Sequence, residues 1–199
     1  KALRTVLGTH VAQAGSLVSE DSLRFDFSHF KALTKDELLL VEKAVNSSIR
    51  KNFIVSIEEM SMDQARQKGA TALFGEKYGD VVRAVSVGDN SEVYSMELCG
   101  GTHVKRTGDI GAFKIMSETS IGSGVRRIEA VAGRAADKYF YELEQQFDDI
   151  AGKLKVSKKS VVNSVEKLLE DLKQNESEIS SLKSKLISTE IDEYIKTVK

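Results

Sequence analysis

From Gly133 onward the apolar residues recur at alternating steps of four and three, and that spacing demands an amphipathic helix. Ala136, Phe140, Leu143, Phe147, Ile150 and Leu154 form a first series. Val161, Val165, Leu168, Leu172, Ile179, Leu182 and Leu186 form a second, with the polar Asn175 at one seam position. Both are heptad seams. Lys155-Val156-Ser157 between them reads as a turn, with Ser157 placed to cap the second helix. Two seams joined by a short turn predict an antiparallel helical hairpin whose second arm is the longer. The plainer alternative is a solvated helical spacer. After Leu186 the apolar set shifts to Ile187, Ile191, Tyr194 and Val198, a change of register or of partner. The far end of this arm has no visible partner, so it packs on another segment or on another chain through self-association.

Before Gly133 the pattern is different. All 14 glycines lie at or before Gly152, and in the first part they punctuate short apolar runs. Runs rich in Val, Ile, Phe and Tyr predict strands at Leu23–Ser28, Asn52–Glu59, Arg83–Val87, Glu92–Leu98, Ala112–Ser117 and Gly124–Ala130. Thr34–Arg50 reads as a helix with Leu38, Val41, Ala44, Val45 and Ile49 on one face, opened by a Thr34/Glu37 capping box. A shorter helix runs from Ser61 to Lys68 and stops at Gly69. The mixed order predicts an α+β domain over residues 1–132, built on a mixed or antiparallel sheet, and a helical unit over 133–199. Lys1–Leu7 already has helical spacing with no cap before it, which points to a chain that starts inside an element and to a piece of something longer.

Charge and cysteine usage narrow the function classes. Lys and Arg number 29 against 30 Asp and Glu, so no strongly basic nucleic-acid footprint exists, although a local patch suffices to meet RNA. A single Cys excludes an internal disulfide framework and fits a reducing, cytoplasmic compartment. No apolar run reaches the roughly 18 residues that a membrane-spanning helix needs.

The sharpest chemical signal is Cys99-Gly100-Gly101-Thr102-His103. The glycines argue against a helix and for a turn that lets sulfur and nitrogen converge on one ion. A thiolate and an imidazole suit zinc, at about 2.3 Å and about 2.0 Å. Two other readings stand beside it: a buried free Cys next to a surface His, and a Cys–His nucleophile pair lacking an identified orienting group. Zinc at a catalytic site takes three protein ligands, and the residues offer only His10 or His29 as a third. Gly122-Ser123-Gly124 followed by Arg126 and Arg127 reads either as a phosphate-holding loop or as a turn leading into a salt-bridged strand. Leu23 to Ser28 alternates as a plain amphipathic strand. Gly8 to Ser16 reads as a polar exit from the first helix, lining a pocket or turning the chain.

Five blocks in order carry a resemblance: VLGTHVAQAGSLV (Val6–Val18), LRFDFSHF (Leu23–Phe30), GATALFGEKYGDVVR (Gly69–Arg83), SMELCGGTHVKRTGDIGAFKI (Ser95–Ile115) and GVRRIEAVAGRAA (Gly124–Ala136). They resemble the editing domain of bacterial-type alanyl-tRNA synthetases. That domain is shared with free-standing trans-editing proteins and, more distantly, with threonyl-tRNA synthetase. LKVS (Leu154–Ser157) and VEKLLEDLK (Val165–Lys173) are similar to the start of that family's coiled-coil linker. The resemblance implies the threonyl/alanyl-type second additional domain fold. It also implies hydrolysis of seryl- and glycyl-tRNA(Ala) at a zinc site, within a cytoplasmic, ATP-dependent ligase. It makes Cys99 and His103 two zinc ligands, the others being an H-x3-H pair upstream of Lys1. It places Gln13 near the editing pocket, with Thr9 and Thr102 as further polar groups able to recognise the serine hydroxyl. Lys105, Arg106, Arg126 and Arg127 become candidate contacts to tRNA phosphates, with ordinary solvated charges as the competing explanation. A non-catalytic tRNA-binding or spacer module is the other class this sequence admits.

Overall fold

The computed structural model describes residues 1–71, 79–89, 91 and 93–197, with side chains to 194. The fold is α+β, with two antiparallel sheets, helices and a long C-terminal helix. One sheet has four strands: β1 (Gln13–Val18), β2 (Leu23–Ser28), β7 (Val125–Ala132) and β6 (Phe113–Gly122), side by side in that order. The other has three: β3 (Ile54–Ser61), β4 (Val81–Gly88) and β5 (Val93–Leu98). Short helices α1 (Ala2–Leu7) and α3 (Met62–Gln67) and the longer α2 (Lys35–Arg50) complete this part, and α4 (Arg134–Leu154) follows. Residues 1–140 form one compact unit and 141–199 a second.

The alternation of β2 decides which side of the four-stranded sheet becomes core. Phe25 and Phe27 face the same way as their cross-strand neighbours, Phe25 opposite Ile128 and Phe27 opposite Arg126. Phe27, Ile128 and Ala130 are buried with Val11 and Leu33, and Leu3, Leu7 and Leu38 of the helices pack against them. Residues 24, 26 and 28 point to the opposite side. A second core lies in the three-stranded sheet, where Met60, Val82, Ala84 and Leu98 bury Ala65 of α3.

Helix α2 starts where its cap demands. The Thr34 hydroxyl accepts from the Glu37 N–H at 3.2 Å and the Glu37 carboxylate accepts from the Thr34 N–H at 2.8 Å. Its polar face then closes the exposed edge of β6. Asn46 donates to the Phe113 carbonyl at 2.8 Å and accepts from the Phe113 N–H at 3.0 Å, and Glu42 accepts from the Ile115 N–H at 2.9 Å. Buried Thr107 ties the same helix to the start of β3: its hydroxyl accepts from the Phe53 N–H at 2.9 Å and donates to the Ser48 carbonyl at 3.0 Å. Gly111 and Gly133 meet where α4 begins. Both have positive φ, and a Cβ on Gly111 would lie 3.1 Å from the Gly133 Cα. The compositional boundary therefore coincides with a close backbone crossing that only small residues permit.

Several expectations shift. The second half of Gly8–Ser16, read as a polar exit, belongs to a strand, Gln13–Val18, with a register shift between Gln13 and Gly15 that irregular alternation hid. β6 continues past Ser117 to Gly122, carried by two further irregularities in register. Residues 72–78 of the Gly69–Arg83 block, Glu92 of the expected strand and Val198 of the helical seam lie outside the described residues.

In the second unit, α4 ends at Leu154 through Lys155 with φ 55°, and a short 3-10 turn (Lys158–Ser160) leads into α5 (Val161–Thr197). Ser157 occupies the cap position, but its hydroxyl bonds to that of Ser160 rather than to a backbone N–H. Lys158 binds Glu144 at 3.1 Å and Asp148 at 2.9 Å, and Ala151 and Val161 are buried at the turn. Helix, turn and longer helix thus follow the heptad reading. Mutual coverage of the seams does not: Leu143 and Ile150 of α4 and Leu168, Leu172, Ile179, Leu182 and Leu186 of α5 are all exposed.

Candidate functional site

Cys99 leaves β5 while still held to its neighbour, its N–H donating to the Arg83 carbonyl at 3.1 Å. The Arg83 side chain then reaches across the turn. One guanidinium nitrogen donates to the Cys99 carbonyl at 2.6 Å and to the Gly101 carbonyl at 2.7 Å. The Gly101 N–H in turn donates to the Cys99 sulfur at 3.4 Å. Cys99 is a half-buried free thiol. Desolvation, then the Arg83 charge, holds the His103 imidazole below its usual pKa against an opposing pull from Glu97. A neutral imidazole keeps the lone pair that ligation requires. Beyond His103 the chain is tied to the outer edge of β3. The Val55 N–H donates to the Lys105 carbonyl at 3.0 Å, Arg106 bridges Ile54, and the Thr107 N–H donates to the Phe53 carbonyl at 2.9 Å. The loop is therefore anchored at both ends and at its middle.

No cluster of three or more His, Cys, Asp or Glu side chains able to hold a metal occurs among the described residues. Neither His10 nor His29 therefore supplies the third ligand that the residues alone suggested. They bond to each other instead, His10 Nε2 to His29 Nδ1 at 2.9 Å. Near them, the Ser28 hydroxyl accepts from the Ala12 N–H and donates to the His10 carbonyl. Gln13, the first residue of β1, is half-buried and donates to the Ser16 hydroxyl at 3.1 Å. Thr9 and Thr102 are exposed in turns.

The basic residues divide. Lys105 and Arg106 are exposed, and Arg106 spends one donor on the Asn52 carbonyl. Arg126 and Arg127 are consecutive strand residues and point to opposite faces. Arg126 makes a two-pronged bond to Glu118, and Arg127 binds both oxygens of Asp26, at 2.7 and 2.8 Å. They form no common patch, and both are closed by carboxylates, as the salt-bridged-strand reading has it. Asp26 is only 7% exposed, and its bond to Arg127 holds its carboxyl below the usual range.

Two residues and one pairing escaped the sequence reading: Arg83, the clamp on the Cys99–His103 turn; Asp26, the partner of Arg127; and the bond between His10 and His29. A lone arginine inside the apolar run Val81–Val87 was the one available signal, since a charge in a buried strand needs a partner.

Residues 82–129 match the family described as threonyl and alanyl tRNA synthetase second additional domain. The fold and the Cys99–His103 turn thus belong to a domain class found in tRNA synthetases. Within that class the chain belongs with the alanyl-tRNA synthetases: it is 57% identical over its full length to an alanine–tRNA ligase of Endomicrobium trichonymphae. It is 54% identical over 98% of its length to the alanine–tRNA ligase of Acetivibrio thermocellus, and 55% over 94% to that of Pseudoalteromonas translucida. It spans 23%, 22% and 21% of those relatives' lengths.

Proposed function

We propose that this chain is the editing region of an alanyl-tRNA synthetase, which within the longer protein hydrolyses the ester of seryl- and glycyl-tRNA(Ala) and which by itself carries only half of the zinc site. The observation that carries this reading is the pinned Cys99–His103 turn, which offers one thiol with an N–H donor on its sulfur and one neutral imidazole. These donors fit zinc in kind, and they make half of a four-ligand set. The resemblance implies the remaining pair, an H-x3-H upstream of Lys1. The Lys1 ammonium donates to the Tyr94 carbonyl at 2.6 Å, so α1 starts beside β5, the strand that delivers Cys99. When bound, zinc supplies Lewis acidity and orients the ester.

The chain's own residues do the rest. Arg83 fixes the turn so that sulfur and imidazole stay in place. Gln13, and Thr9 and Thr102 in their turns, supply hydrogen bonds for the serine hydroxyl. A site that bonds a hydroxyl rejects the analogue lacking it, here alanine. Lys105 and Arg106 are the contacts to tRNA phosphate, with Arg126 and Arg127 contributing through whatever donors their carboxylate partners leave. The test is deacylation of seryl-tRNA(Ala) by synthetase-length protein carrying this segment, with and without a chelator. Activity that is lost on chelation and in Cys99→Ala supports the reading. Full activity in Cys99→Ala refutes it. The long uncovered helix α5 favours a second reading, a non-catalytic tRNA-binding or spacer module, in which RNA binding survives and no deacylation occurs.

A further inference from the structure

Glu97 precedes Cys99 by two residues on β5 and lies on the same side of the three-stranded sheet. The pairing that sets this is continuous. Val85 of β4 is the partner of Glu97, and the Cys99 N–H donates to the Arg83 carbonyl at 3.1 Å, which carries the same register further. Alternate residues of a strand share a face, so Glu97 and Cys99 lie on one side together with Val85 and Arg83. β5 is held on its other edge as well. The Thr71 N–H donates to the Met96 carbonyl at 2.9 Å and the Leu98 N–H to the Thr71 carbonyl at 3.0 Å, on either side of Glu97. Backbone bonds on both edges fix the root of this side chain.

The carboxylate itself is uncommitted. Glu97 is exposed and makes no hydrogen bond or ion pair through its side chain among the described residues. Arg83, on the neighbouring strand, directs its guanidinium at the Cys99 and Gly101 carbonyls instead. The charge of Glu97 still reaches the His103 imidazole, where it opposes the lowering by desolvation and by Arg83, and the amino group of Lys1, where it opposes the lowering by burial. Carboxylate, imidazole and the start of α1 therefore share one neighbourhood.

We propose that the Glu97 carboxylate accepts the α-ammonium of the aminoacyl ester. This rests on the editing reading above. Such an ester has one cation, on the carbon next to its carbonyl, so a fixed anion beside the Cys99–His103 turn meets it when the ester sits at that turn. The carbonyl oxygen gains negative charge during hydrolysis, and a carboxylate has nothing to offer it. The ammonium is also the handle that seryl and glycyl esters share. Gln13, Thr9 and Thr102 can bond a serine hydroxyl, but a glycyl ester has none. Glu97 reads the amino group, and the other residues read the side chain.

The experiment uses zinc-loaded, synthetase-length protein and two esters of one tRNA: seryl-tRNA(Ala), and glyceroyl-tRNA(Ala), in which a hydroxyl replaces the ammonium. Glu97→Gln keeps the shape and removes the charge. It is expected to lower kcat/KM on the seryl ester about ten- to a hundredfold, as for one charged hydrogen bond, and to leave the glyceroyl ester unchanged, with zinc content at the wild-type level. Glu59, also exposed and on this face opposite Arg83, is the control, and Glu59→Gln is expected to change neither ester. An equal fall on both esters, loss of zinc, an unchanged seryl ester or an equal fall in Glu59→Gln overturns the inference and leaves the editing reading intact. If the wild type spares the glyceroyl ester, a raised KM for the seryl ester supports the inference, and a lowered kcat at unchanged KM overturns it. A wild type that cleaves neither ester overturns the editing reading as well.

Discussion

Arg83 separates the account of the turn from the residues that compose it. Its guanidinium holds two carbonyls of the Cys99–Gly101 segment. Arg83→Ala is expected to free the turn and raise the alkylation rate of Cys99 several-fold, read by thiol titration of the native protein. The Cys99–His103 spacing was legible as a candidate metal turn, and it was the resemblance that raised it above a buried free Cys beside a surface His. Arg83 was not legible, because its partners are set by the pairing of β4 with β5. Asp26 and Arg127 are a sharper case, 101 residues apart and brought together only by strand register. The Asp26 carboxyl ionises below its unfolded value of about 3.9 because Arg127 bonds to the charged form. A depressed folded pKa stabilises the fold above the unfolded value, and the contribution fades as pH falls through the folded one. Asp26→Asn is therefore expected to lower stability at neutral pH and to flatten the acid limb below about pH 4, measured by urea unfolding across pH.

At the scale of elements, caps and periodicity were readable and edges were not. Thr34 and Ser61 both form capping boxes, the first foreseen from its Glu at the third position and the second at a helix start also foreseen. β1 escaped because its register shifts at Gly15 and its residues are mostly exposed, so no alternation survives in the sequence. Thr107 joins α2 to β3 through a buried hydroxyl. Thr107→Val, which keeps the shape and removes the bonds, is expected to cost about 1–3 kcal/mol by chemical denaturation. Phe27→Ala, in the fully buried centre of the larger sheet, is expected to cost about 3–5 kcal/mol. The seam of α5 was legible as a heptad, but a heptad states only that a helix has an apolar stripe, not what covers it. With Leu172 and Leu182 each 55% exposed, association is expected. Sedimentation velocity should show a concentration-dependent larger species that Leu172→Lys with Leu182→Lys abolishes.

For the molecule as a whole, the described parts of the five sequence blocks lie in one α+β unit, and the proposed chemistry falls on a turn at the end of β5. No helix among the described residues is long and apolar enough to cross a membrane. The relatives are alanine–tRNA ligases several times longer than this chain, so the ligase chemistry belongs to those proteins, and the editing chemistry is what this segment contributes to the proposal. The account stands on Cys99 sulfur and His103 nitrogen binding one divalent ion. Cobalt substitution of the zinc in synthetase-length protein tests this most directly. A thiolate-to-cobalt charge-transfer band that disappears in Cys99→Ser, with the ligand-field bands altered in His103→Ala, is the predicted result. A cobalt-loaded protein that deacylates seryl-tRNA(Ala) without that band contradicts it.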